Sequence, residues 1–243
     1  MITTIEELSL GAWPAFEEQV YDGWILRFAE GYTKRANSVN PLYPSTISLD
    51  KKIAHCEIVY SQKGLPPVFK LTGESSPPVL DRALAERGYG KLDETSVRTV
   101  SLGNGYPAGH DIDYYSRVCD EWVMSFARCS GIGEANTVET LTRILGLIQE
   151  ETIFAYIKRQ DRIAACGLGV LDRGYLGCFD IVVDTAYRGM GYGRRIMDGL
   201  LAQGAKRGAA TAYLQVVMGN LPAEELYDSL GFQEMYRYWY RKK

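Results

Sequence analysis

Between Cys178 and Arg195 the chain reads CFDIVVDTAYRGMGYGRR, and the residues there best placed to do chemistry are the glycines at 189, 191 and 193. Glycines at alternate positions leave no Cβ to shield backbone N–H groups where a helix begins. Unpaired N–H groups and the positive end of a helix dipole attract a phosphate. The flanking pattern supplies the elements that such a cradle needs. Cys178 to Val183 is a nearly continuous apolar run, which suits a strand buried on both faces. Ile196, Met197, Leu200 and Leu201 then recur on one face of a helix. Arg188 and Arg194 flank the glycines as charge partners for an anion, or else lie on a solvated face. A glycine-rich connection without a ligand is the plain alternative. The dinucleotide spacing G-x-G-x-x-G, with an acidic residue about 20 positions on, is missing. So is the Gly-Lys-Ser/Thr of a Walker loop.

A second cluster follows at Asn220, Ala223, Leu226, Tyr227, Gly231 and Phe232. Arg188-x-x-Gly191-x-Gly193, preceded by Val183-Asp-x-x-Tyr-Arg-Gly189, resembles motif A of the GNAT N-acetyltransferase superfamily. The downstream cluster resembles motif B of that superfamily at every defined position. The resemblance covers Thr137 to Lys243 well and the earlier chain less clearly. It implies an acyltransferase that takes acetyl-CoA as co-substrate, uses no metal, and acts on a primary amine of a small molecule or peptide. By the same resemblance, the amides of Gly189, Met190, Gly191, Tyr192 and Gly193 hold the pyrophosphate with Arg188 and Arg194. An N–H among Ile181, Val182 and Val183 serves as oxyanion donor, provided that their strand splays from the one at Thr211 to Val217. Asn220 bonds the pantetheine arm or caps its helix. Tyr227 is the general acid for the departing thiolate, its ordinary pKa of about 10 being close enough to a thiol's for proton transfer. A packing aromatic is the alternative for Tyr227.

The base is harder to find. Many members of the superfamily carry a Glu on the central strand nine residues before the motif's Arg, and here that position is Phe179. Asp180 is adjacent, but strand alternation turns it to the other face unless a bulge intervenes. A carboxylate in a buried strand needs a partner, so Asp180 is a catalytic or a structural residue. Water relayed to Glu134 is a further route. The missing Glu also keeps a rival function open, an acyl-CoA-binding regulatory or interaction protein that has lost turnover.

Composition bounds the rest. A net charge of −3 argues against nucleic acid as a partner. No window is long and apolar enough for a membrane span, and the N-terminus lacks a signal peptide's pattern. The five cysteines form no C-x-x-C pair, as expected of reduced thiols in the cytoplasm. With His55 and His110 the only histidines, a His-rich metal site or a Ser–His–Asp triad has little to work with. A monomer or homodimer is expected.

Periodicity predicts a helix over Glu6 to Val20, kinked at Pro14, then strands at Gly23 to Ala29 and Ala36 to Leu42. A helix follows from a cap at Ser48 or Asp50 to Tyr60, then a strand at Pro67 to Thr72, a helix at Pro77 to Arg87 and a strand at Ser96 to Leu102. Residues 103–109 concentrate breakers and read as a linker. Beyond it the pattern gives helices at Ile112 to Ala127 and from a cap at Thr137 to Gln149. Strands at Thr152 to Ile157, Arg162 to Leu171 and Cys178 to Val183 precede the glycine loop and its helix. A strand at Thr211 to Val217, a helix at Pro222 to Leu230 and a strand at Phe232 to Tyr240 complete it. The expected class is α/β with a mixed sheet. Residues 1–102 echo the second half, because Leu80 to Tyr89 repeats its helix–Gly–aromatic ending without a glycine cradle. Asp22-Gly-Trp24-Ile-Leu-Arg27 with Thr33-Lys-Arg35-Ala36-Asn37-Ser38 resembles the front half of two-domain (tandem) bacterial GNAT proteins, in which a degenerate N-terminal domain packs on a catalytic one, here 110–243.

Overall fold

A computed structural model describes residues 1–73, 78–103, 106 and 111–243. In chain order the elements are α1 (Ile2–Ala12), β1 (Glu17–Tyr21), β2 (Trp24–Phe28), β3 (Val39–Pro41), α2 (Leu49–Gln62), β4 (Val68–Thr72), α3 (Pro78–Glu86) and β5 (Gly90–Ser101). There follow β6 (Asp113–Tyr115), α4 (Asp120–Ser130), α5 (Ala135–Gly146), β7 (Glu151–Arg159), β8 (Arg162–Asp172) and β9 (Tyr175–Val183). The last are α6 (Tyr192–Lys206), β10 (Thr211–Val217), α7 (Leu221–Ser229) and β11 (Gln233–Lys242). This is the mixed α/β architecture expected from the sequence.

The chain divides into two compact units that do not follow chain order. The first comprises Met1–Val97, Val216–Gly219 and Glu234–Lys243; the second comprises Arg98–Gln215 and Asn220–Gln233. All but residues 103 and 106 of the expected linker lie outside the described residues, as does His110.

In the first unit the strands run in the order β1-β2-β3-β4-β11-β5. The chain's last strand therefore lies between β4 and β5, antiparallel to β4 with Thr72 opposite Tyr238. Ile53, Cys56 and Tyr60 of α2 recur at helical spacing and pack on β2 and β4 through Trp24, Leu26 and Phe69. Burying charge here requires partners. Arg27, on an otherwise apolar strand, donates from Nε to Glu18 and from its Nη atoms to the carbonyls of Arg35, Leu10 and Trp13. Lys70 pairs with Glu6 at 2.6 Å, and Tyr236 of β11 donates to the same carboxylate. Asp81 of α3 accepts from Trp239 Nε1 and, in a fork, from Arg241, which ties β11 to α3.

In the second unit β6, β7, β8 and β9 form antiparallel neighbours in that order, and β10 lies parallel to β9. The sheet carries α6 on one face and α4 on the other. Leu176 of β9 lies where a side chain on Gly204 of α6 would go, whereas Trp122 of α4 meets Phe154 edge-on and donates to the Ala155 carbonyl.

Several sequence expectations are corrected. Helix α1 stops at Ala12 because the residue before Pro14 leaves the helical region, with φ −139° and ψ 71° at Trp13, and Glu17–Tyr21 pairs as a strand instead. The expected helix from Ile112 is strand β6 followed by α4, since Tyr114 and Tyr115 pair with Ala155 and Phe154. Thr137 is inside α5, whose N-cap is Glu134.

Candidate active site

The site is built where β9 and β10 part. Their pairing runs from Thr211↔Tyr175 to Leu214↔Cys178 and then stops, although β9 continues to Val183 and β10 to Val217. Ile181, Val182 and Val183 are thereby left without a pairing partner on β10, the splaying set above as the condition for an oxyanion donor. The parting coincides with a bulge. Val182 pairs with Cys166 and Phe179 with Leu168, so β9 holds one residue more than β8, and Asp180 sits at φ +54°. Side-chain direction reverses across it. Leu176 faces α6, and so does Ile181, which lies with Ile196 and Leu200 where a Gly167 side chain would go. An even and an odd residue on one face require the extra residue.

That bulge decides where Asp180 points. Ile181 faces α6, so Asp180 just before it is turned toward the opposite, α4 face, in keeping with its charge helping to raise the Cys166 thiol. Phe179 is buried edge-on against Tyr213.

Val183 leads through a single 3-10 turn at Thr185–Tyr187, capped by the Asp184 side chain, into the glycine loop. Arg128 of α4 grips the same Asp184 and also the Ile163 carbonyl. Gly189 and Gly191 have φ of 75° and 77°, and a Cβ on either would meet nothing within 4 Å. Both the left-handed backbone and the open approach favour glycine here. Gly191 is the N-cap of α6 with no side-chain cap, and the first helical bond runs from the Arg195 N–H to the Gly191 carbonyl. The N–H groups of Tyr192, Gly193 and Arg194 therefore belong to the unpaired first turn. Gly193 differs from its neighbours: a Cβ there would lie in ordinary contact with Leu226 of α7 and Val183. Met190 is exposed at the loop's tip.

The arginines divide. Arg188 is exposed and donates to the Val183 carbonyl. Arg194 is occupied by Ser229 Oγ at 2.9 Å and Asp198, so it braces α7 against α6. Sequence reading passed over a cluster at the other edge, in which Arg159 and Arg195 both hold Asp111 and flank the Tyr192 ring. Nothing in the motif's spacing marks Arg159 or Asp111.

Tyr227 lies on the inner face of α7, 9% exposed and edge-on to Phe232. Burial pushes its phenol up to about 12, Cys178 acts in the same direction, and Arg98 opposes both. Cys178 is itself raised to about 12 by burial, as befits a packing thiol. Cys178, near enough for its charge to act on the phenol, is the last residue of β9 paired with β10, so Tyr227 lies near the parting. Asn220 is the N-cap of α7, where its carbonyl accepts from Ala223 and Glu224, while its exposed side chain makes no cap bond. Glu134 caps α5 and is exposed.

The family described as "Probable histone acetyltransferase Rv0428c C-terminal" matches residues 1–241. The chain is a member of this GNAT acetyltransferase family. Among relatives, the Bacillus subtilis "Uncharacterized N-acetyltransferase YobR" is 29% identical, with 100% of this chain and 98% of that protein aligned. The Escherichia coli "[Ribosomal protein bS18]-alanine N-acetyltransferase" is 45% identical over 65 residues, which span 27% of this chain and 43% of that enzyme. A GCN5-related N-acetyltransferase from Kribbella flavida superposes with TM-score 0.73 at 14% identity, over 99% of this chain and 95% of the other. A tandem GNAT protein from the clavulanic acid pathway gives TM-score 0.66 at 11% identity, over 98% and 87%. GNAT enzymes use acetyl-CoA in general. Among the described residues of this one, no helix is long and apolar enough to cross a membrane.

Proposed function

We propose that this GNAT enzyme moves the acetyl group of acetyl-CoA to a primary amine by direct attack. The reading is carried by the parting of β9 from β10 after Cys178 and Leu214, beside the open glycine loop that starts α6. The amides of Gly189 to Gly193 hold the pyrophosphate, with Arg188 nearby. An N–H of Ile181, Val182 or Val183 meets the thioester oxygen as it gains charge. The amine nitrogen bonds to the carbonyl carbon, the C–S bond breaks, and Tyr227 gives its proton to the sulfur. Asp180, turned by the bulge, accepts the proton that the amine loses, directly or through water. Asn220, with its side chain uncommitted to the cap, bonds the pantetheine arm.

The acceptor is a small-molecule or peptide amine. A peptide α-amine is supported by the bS18-alanine relatives, and an amine of a basic protein by the Mycobacterium tuberculosis relative named as a probable histone acetyltransferase. The protein works as a monomer or homodimer in the cytoplasm, without metal, nucleic acid or membrane. The test is thiol release across a panel of amines that includes alanine-first and lysine peptides. Tyr227→Phe keeps the ring and should lower kcat about 10²- to 10⁴-fold while CoA binding survives. A fall of less than about threefold would return Tyr227 to the packing aromatics.

A second reading is favoured by one observation, the buried Phe179 where a base is common. It makes the protein an acyl-CoA-binding regulator, and CoA binding without thiol release to any amine would support it.

A further inference from the structure

Tyr227 is braced from β5. Arg98 Nη1 donates to Asp228 Oδ1 at 2.6 Å and lies 3.5 Å from the Glu224 carbonyl, with 9% of its side chain exposed. Those partners are the residue after Tyr227 and the residue three before it, so the guanidinium clasps the turn of α7 that presents the phenol. The charged and titratable groups around that turn come from each neighbouring element. They are Arg98 from β5, Cys178 from β9, Arg194 of α6 at Ser229, and Asp228 and Glu224 on α7 itself. We propose that Arg98 is a positioning residue for the acid Tyr227, fixing its helical turn and using its charge to make the phenol a better donor to the CoA thiolate. This rests on the general-acid reading of Tyr227.

The physical need is plain. When the O–H bond of Tyr227 breaks and the S–H bond of CoA forms, a phenolate is left in a largely buried site until a proton returns from solvent. A buried anion is costly unless a positive group faces it. Burial and Cys178 both hold the proton on Tyr227, and among the described residues Arg98 is the group that works against them. Its bond to Asp228 fixes the guanidinium on the helical turn that carries the ring. No motif marks Arg98, because β5 comes from far earlier in the sequence.

The experiment places 3-fluorotyrosine at position 227, which lowers the phenol's pKa into an accessible range, and follows its titration by 19F NMR. Arg98→Met should raise the midpoint and Arg98→Lys should raise it less. Asp228→Asn removes the same ion pair but takes away a negative charge, so it should lower the midpoint. A purely structural brace predicts the same direction for Arg98→Met and Asp228→Asn. In the natural-tyrosine protein, Arg98→Met should cost about tenfold or more in kcat, with CoA affinity within about twofold. An unmoved midpoint, or a shift of one sign in both variants, overturns the proposal. If Arg98→Met does not fold, Arg98→Lys against Asp228→Asn makes the same comparison. Should Tyr227→Phe keep full activity, the acid reading fails, while the midpoints still report whether Arg98 acts on the phenol.

Discussion

Substituting Gly191 probes the glycine loop with two side chains that separate strain from charge. Its φ of 77° lies in the left-handed region, and a new Cβ would project into open space. Gly191→Ala therefore meets no steric obstacle and carries only the backbone penalty, about 1–2 kcal/mol against folding. Gly191→Glu carries that penalty and adds a carboxylate where a pyrophosphate would lie. CoA affinity of the Glu variant should fall at least about tenfold, which is about 1.4 kcal/mol. Thermal melts with and without CoA, backed by calorimetric titration, read both effects. At a concentration about 100 times the unsubstituted protein's Kd, CoA should stabilise that protein by about 2.7 kcal/mol. At the same concentration Gly191→Glu should gain no more than about 1.4 kcal/mol, since its Kd is about tenfold higher. Gly191→Ala should melt earlier but keep more of the ligand-induced gain. A folded Gly191→Glu protein with unchanged CoA affinity would refute the phosphate site and the reading built on it.

Calorimetry should also give one CoA per chain, because the first unit's α2 begins without glycines and its Lys52 turns inward to Asp22, Ser45 and the Trp24 ring; two equivalent sites would contradict this. Asp180→Asn should lower kcat/KM at neutral pH with CoA affinity intact, and activity within about threefold of the original would leave Asp180 a structural residue of the bulge. Asp81→Asn should weaken the first unit by about 1 kcal/mol in urea melts at neutral pH, a modest cost because the carboxylate is 34% exposed. The hydrogen bonds from Arg241 hold Asp81 below the usual carboxylate range, so its contribution is full above the unfolded pKa and declines as pH falls through the folded one. The Asn variant should lack that part of the acid loss, and an identical pH profile would count against the tie.

The second unit was more legible than the first, and the reason is periodicity. Runs such as Arg162–Asp172 and Thr211–Val217 are long and apolar, and their pairing followed the pattern. The glycine loop and the Tyr227 helix were readable because their residues are close in sequence. What was not readable depended on distant partners or on one extra residue. Tyr114 and Tyr115 look like the start of an amphipathic helix until β7 offers them a strand partner. Val20 looks like the end of one until Ile25 does the same. The face on which Asp180 lies depends on a bulge that alternation alone does not reveal. Arg98 at Tyr227 requires knowing that β5 runs on beyond Val97 into the other unit. The chain-order division at the linker was natural to draw, since nothing in Gln233–Lys242 says which strands it will join.

That last strand has a consequence for how the protein is made. A ribosome releases β4 and β5 long before β11, yet β11 is the strand that lies between them. Until Gln233–Lys242 emerges, the first half to be synthesised has two strands whose facing edges lack their partner, and Glu6 and Asp81 wait for Tyr236, Trp239 and Arg241. The nascent N-terminal half should therefore be protease-sensitive and in need of chaperone cover throughout translation. A stop codon at position 233 should harm the unit that begins at Met1 more than the one that carries the glycine loop.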